Sequence, residues 1–102
     1  MKYILTTILT ELDSTLKANE FSRAFGDLFE KHGAQIEREV CVPDRGDGRR
    51  GKIDIVAHYK EKTYAIEIDW MSPRKKSIHK IQNYQCDGRF VVLREGKQVL
   101  EY

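Results

Sequence analysis

Residues 51–70 read GKIDIVAHYKEKTYAIEIDW, and their pattern decides the fold. Two runs rich in β-branched and aromatic residues flank Lys60-Glu61-Lys62, which predicts two strands joined by a tight turn. Side chains alternate between faces along a strand. Ile53, Ile55, Ala57 and Tyr59 are therefore expected on one face of the first strand, and Lys52, Asp54, Val56 and His58 on the other. In the second strand Tyr64, Ile66 and Ile68 oppose Ala65, Glu67 and Asp69. Three carboxylates, Asp54, Glu67 and Asp69, thus interrupt otherwise apolar strands. If the strands pair as a hairpin, all three can reach one face. Like charges that close disfavour ionisation unless a cation joins them. An all-oxygen cluster suits Mg²⁺, with Mn²⁺ as an alternative.

Upstream, residues 34–42 alternate Ile36, Val40 and Val42 with Glu37, Glu39 and Cys41, a further strand. A loop rich in glycine and charge, residues 43–51, links it to the hairpin. Its aspartates lack the closing glutamate of an EF-hand loop. Residues 3–17 carry Ile4, Leu5, Ile8, Leu9, Leu12 and Leu16 at helical spacing. A second helical stripe, Phe21, Ala24, Phe25, Leu28 and Phe29, lies between a candidate N-cap at Asn19 and a stop at Gly33. Both stripes read as core, and the first also offers a face for a homodimer.

Downstream, Ser72 is a favoured N-cap and Pro73 suits the first helical position, which predicts a helix to about Asn83 with Ile78 and Ile81 inward. Arg74, Lys75 and Lys76 crowd its first turn, where bases are unfavourable for the helix itself. An anion docked at that N-terminus would offset the cost. Residues 89–93 and 98–100 are two last strands. The 73–83 helix is the crossover that lets 89–93 run parallel to 63–69.

The 102 residues are expected to form a single domain, 1–102, of ordinary composition. The net charge of +2 does not by itself imply nucleic acid, but bases cluster on both flanks of the carboxylates: Arg45, Arg49, Arg50 and Lys52 before, Arg74, Lys75, Lys76 and Lys80 after. Cys41 and Cys86 lack metal-type spacing and read as free thiols of a reducing cytoplasm. No apolar run is long enough for a signal peptide or a membrane span. Trp70 is expected in the core, with base stacking as its alternative role. His32, His58 and His79 are scattered and receive no chemical role.

This order of elements, with these residues at these points, resembles the PD-(D/E)XK nuclease superfamily, the restriction-endonuclease-like fold, over residues 19–102. Gly51-Lys52-Ile53-Asp54-Ile55 looks like the family's first acidic element. Glu67-Ile68-Asp69 occupies the place of its acidic-X-lysine element, and Glu20 resembles the glutamate often supplied by the first helix. The segment from Ser72 to Ser77 also looks like that of small phage and prophage proteins. The departure is Asp69, which stands where the lysine belongs.

The resemblance implies an α/β fold with a mixed β-sheet flanked by helices, an α-β-β-β-α-β core, in a bacterial or phage-infected cytoplasm. It implies a Mg²⁺-dependent DNA endonuclease that hydrolyses phosphodiester bonds. The metal would be held by Asp54, Glu67 and the Ile68 carbonyl, with Asp69 and Glu20 close by. Lys75 or Lys52 would stabilise charge on the phosphate, and Asp69 would act as ligand or base. Arg49, Arg50, Lys52, Arg74, Lys75, Lys76 and Lys80 would hold DNA phosphates. Two rival readings remain: an inactive module of the same fold that binds DNA or a protein, and a structural protein whose Glu67 and Asp69 face solvent.

Overall fold

The computed structural model describes residues 1–44 and 48–102. Arg45 and Asp47, two of the loop charges, lie outside the described residues. The fold is mixed α/β: α1 (Lys2–Thr10), α2 (Ala18–Lys31), β1 (Gln35–Val42), β2 (Gly51–Tyr59), β3 (Lys62–Asp69), α3 (Lys75–Gln82), β4 (Gly88–Leu93) and β5 (Gln98–Glu101). The strands form one sheet in the order β1-β2-β3-β4-β5. β1, β2 and β3 make an antiparallel meander, and α3 carries the chain across so that β4 lies parallel to β3. β5 then returns antiparallel on β4. This is the expected element order and crossover.

The apolar stripe of residues 3–17 is split. α1 ends at Thr10, and α2 starts after Lys17, not Asn19. Asp13 makes the break: its carboxylate accepts the Thr15 N–H (2.9 Å) and hydroxyl (2.8 Å), a local turn that competes with helix. Those hydrogen bonds also hold the Asp13 carboxyl below the usual carboxylate range. Gly33, at φ 100°, ends α2 in the left-handed region that a side chain resists.

The sheet separates two apolar clusters. On one side Leu5, Ile8, Leu9 and Leu12 pack with Phe21, Phe25 and Phe29 over Ile55, Ala57, Ile66, Phe90 and Val92. On the other, Ile81 of α3 packs with Ile53, Val56, Ala65, Val91 and Leu93. Leu5, Ile8 and Leu9 are fully buried. Ile8 and Leu12 of the first stripe are therefore core, and Ile4 and Leu16, the other residues of the face expected for a homodimer, are half-buried against it.

Strict alternation fails at one place. Ile55 belongs to the α1–α2 side of the sheet, yet Ile53 belongs to the α3 side. β1 changes sides in the same way between Ile36 and Val40. The residue between the paired Arg38–Ile55 and Val40–Ile53 positions is Glu39 on β1 and Asp54 on β2. Glu39 has φ 54°, a left-handed backbone that is uncommon inside a strand. Both strands therefore twist about the Glu39–Asp54 level, and the expected common face for Ile53 and Ile55 is replaced by a change of face at Asp54.

Among the described residues no helix is long and apolar enough to cross a membrane. Cys41 and Cys86 are both free thiols.

Candidate functional site

The β2–β3 backbone pairing runs from Tyr59–Lys62 to Ile55–Ile66 and stops there. Beyond it the strands exchange side-chain bonds instead. The Asp54 N–H donates to Glu67 Oε2 (2.8 Å), and the Ile68 N–H donates to Asp54 Oδ2 (2.8 Å). The two carboxylates therefore meet at a fork in the sheet. The N–H and C=O of a strand residue point to the same neighbour, so the Ile68 carbonyl also points to the β2 side of the fork.

The surroundings of the two acids differ. Asp54 lines a cleft of about 280 Å³ together with Ala18, Asn19, Ser22, Glu39, Ile68 and Arg74. Glu67 lies behind it, fully buried on the α3 side. Its Oε1 makes no hydrogen bond among the described residues but is ion-paired with the Lys80 ammonium. Lys80 also donates to the Lys52 carbonyl oxygen (2.9 Å), so its ammonium bridges β2 and β3. Burial, then the Asp54 charge, pushes the Glu67 carboxyl up to about 7; Lys80 and the Asp54 N–H oppose that shift only in part.

Asp69 is turned to a different task. Its Oδ2 accepts the Arg74 N–H (2.9 Å), and its Oδ1 accepts the Arg74 Nε (2.9 Å) and the Ser77 hydroxyl (3.0 Å). The carboxylate thus closes the N-terminus of α3, where Arg74 is the N-cap in place of the expected Ser72. The anion expected at this basic helix end is supplied from within the chain. With both oxygens engaged by α3, Asp69 does not share the Asp54–Glu67 fork, and the expected common face for the three carboxylates is not formed.

The remaining expected residues are placed as follows. Glu20 sits at the third position of α2 and accepts the Lys17 N–H (3.3 Å), a bond within its own helix start. Lys75 is exposed at the beginning of α3 and makes none of the described contacts at the fork. Arg49, Arg50, Lys52, Lys75 and Lys76 are exposed. Arg74 is exposed but tied to Asp69. Lys80 is not on that surface: its side chain is 14% exposed and turned inward to Glu67. His58 bonds with Glu37 and Thr63 near the hairpin turn.

Two residues at the site carry a role that the sequence pattern did not bring out. Glu39 lines the Asp54 cleft through a strand distortion that no residue type announces. Lys80 had a readable signal. It lies three residues after Ser77 and one before Ile81, both buried, and i,i+3 neighbours share a helix face.

Among the described residues no group of three or more His, Cys, Asp or Glu side chains is arranged to hold a metal ion. The fork offers two carboxylates and a backbone carbonyl. That set fits Mg²⁺, which keeps several waters and takes one or two carboxylates from a protein. Glu67 Oε1 already has the Lys80 ammonium as its counter-charge. A larger concavity of about 460 Å³ lies among Cys41, Val42, Pro43, Arg50, Gly51 and Lys52, and among the described residues no carboxylate lines it. No known protein family, curated protein or solved structure matches the chain.

Proposed function

We propose that this chain is a metal-dependent DNA endonuclease of the PD-(D/E)XK type in which Lys80 replaces the missing motif lysine. One observation carries the reading. Where the β2–β3 ladder opens, Asp54 and Glu67 bond to each other's strand, and a lysine from α3 reaches the same carboxylate. Two acids and a lysine are thereby brought together although Asp69 occupies the motif position.

Asp54, Glu67 and the Ile68 carbonyl would hold Mg²⁺ or Mn²⁺. The ion would supply a bound water of lowered pKa and polarise a phosphate oxygen. Asp54 opens onto the cleft and orients the site from β2. Lys80 opposes part of the rise of the Glu67 carboxyl and would add positive charge where a phosphate gains negative charge. Asp69 positions α3, and through α3 it positions Lys80. Lys75, Lys76, Arg50 and Lys52 supply exposed positive charge that attracts DNA without reading its sequence.

The test is nicking and linearisation of supercoiled plasmid with Mg²⁺, Mn²⁺ or EDTA. Wild type should cut with either ion and not with EDTA. Asp54→Asn and Lys80→Ala should each lose cutting while remaining folded, and Lys75→Ala should retain it. The burial of Glu67 favours a second reading, an inactive module that holds DNA. DNA binding with no cutting under any metal would decide for that reading.

A further inference from the structure

We infer that Trp70 is a stacking platform for an unpaired nucleobase, so that the substrate carries single-stranded DNA at or beside the cut. The inference rests on the nuclease reading above and narrows its substrate class. Trp70 is the chain's single tryptophan. It follows β3 directly and is 45% exposed, and its neighbour Met71 is 64% exposed. The core position expected for this residue is not taken.

The ring is nonetheless held in place. The Trp70 carbonyl accepts the Glu95 N–H (2.7 Å), which fixes its backbone beside the end of β4. The Arg94 guanidinium lies over the ring, 4.8 Å from its centroid. Arg94 is itself anchored: its N–H donates to the Asp69 carbonyl (2.9 Å), and its Nη1 donates to the Leu16 carbonyl (3.2 Å). A large aromatic surface is thus partly open to water with its backbone and its cationic partner fixed.

Position and charge select the occupant. The contact with Leu16 sets the Arg94–Trp70 pair against the α1–α2 connection. Two residues on, α2 begins, and its first residues, Ala18 and Asn19, line the Asp54 cleft. Arg74, Lys75 and Lys76 follow Trp70 within six residues and are all exposed. A fixed aromatic ring among cations fits a strand whose bases are free to stack and whose backbone is negative. In an intact duplex the base faces are already stacked on one another. A purely apolar partner would make no use of the exposed Lys75 and Lys76 charges.

Because Trp70 is alone, its fluorescence reports the contact directly. In EDTA, where cutting is stopped, a short oligothymidylate should quench the emission and bind more tightly than a blunt duplex of equal length. Trp70→Ala, followed by fluorescence anisotropy of a labelled oligonucleotide, should weaken single-strand binding by about ten-fold and leave duplex binding unchanged. Trp70→Phe should recover most of the loss, which a damaged fold would not. An equal loss for single strand and duplex, or no quenching by oligothymidylate, overturns the inference. A concentration-dependent blue shift without DNA assigns the surface to a second copy of the chain and also overturns it. Plasmid cutting without quenching would reject the platform and leave the nuclease reading in place. Quenching without any cutting would do the reverse.

Discussion

Glu67→Gln should remove a specific pH dependence from the stability of the metal-free protein. Glu67 is fully buried, and its carboxyl is pushed from 4.5 up to about 7 by burial and by Asp54. Between those values the native state holds a proton that the unfolded chain has released. The native state then binds more protons, so stability must fall as pH rises through that window. The contribution is complete below the unfolded value and is lost as pH passes through the folded one. At ~1.4 kcal/mol per pH unit, the interval corresponds to about 3 kcal/mol. With a urea slope of roughly 1–3 kcal/mol per molar, the unfolding midpoint should drop by about 1–3 M between pH 4 and 8. Urea titrations in EDTA at half-unit steps measure it. Glu67→Gln, which keeps the shape and cannot ionise, should flatten the curve across this window. If Glu67 holds Mg²⁺ as proposed, it does so in the ionised form, and the stabilising effect of the ion should be larger at pH 8 than at pH 5. An unchanged slope in Glu67→Gln, or wild-type stability that rises from pH 5 to 7, would refute the reasoning.

Lys80→Met should cost stability more at pH 8 than at pH 5, by roughly 3 kcal/mol at the upper end, because it strands an ionised buried partner; the same urea series reads it. Asp69→Asn should lower the melting temperature by loosening α3 while preserving the Mg²⁺-induced increment, and loss of that increment would return Asp69 to the metal. Lys75→Gln with Lys76→Gln should weaken DNA binding and reduce the slope of log affinity against log salt by about 2, checked by anisotropy from low to moderate salt. Leu9→Ala should destabilise the chain by about 2–5 kcal/mol as a core deletion without altering its sedimentation coefficient, since Leu9 is buried within the fold.

The parts legible in the sequence were those governed by local repetition. The strands around Ile55 and Ile66, the stripe of Phe21, Phe25 and Phe29, and the crossover before β4 follow from periodicity and chain direction. What was not legible depended on departures from repetition. A rule of alternating faces carries no term for a left-handed Glu39, so it placed Ile53 on the wrong side and joined Asp54 to the face of Asp69. Propensity favoured Ser72 as a cap because a hydroxyl is the usual partner for free N–H groups. A buried carboxylate from the preceding strand served instead, and that contact is a product of tertiary packing. Trp70 looked like core because large aromatics usually are, yet the chain leaves β3 at that residue with the core already complete.

The place of Asp69 at the start of α3 and the inward course of Lys80 are two aspects of one arrangement. Asp69 is buried and faces the N-terminus of α3, where free N–H groups and the helix dipole present positive charge. Arg74 adds a guanidinium at 2.9 Å. A lysine there would meet the Arg74 guanidinium and the free N–H groups of the helix start, with the Ser77 hydroxyl as its one acceptor among these groups. An aspartate accepts three hydrogen bonds at the same spot and fixes the start of the helix. From that fixed start, Ser77 and Ile81 set the inward face of α3, and Lys80, beside them, comes to Glu67. The positive charge that β3 lacks is therefore supplied by a helix that β3 itself holds in position. It follows that Asp69→Lys would not restore a motif. It would release α3, withdraw Lys80 and leave Glu67 buried without its cation.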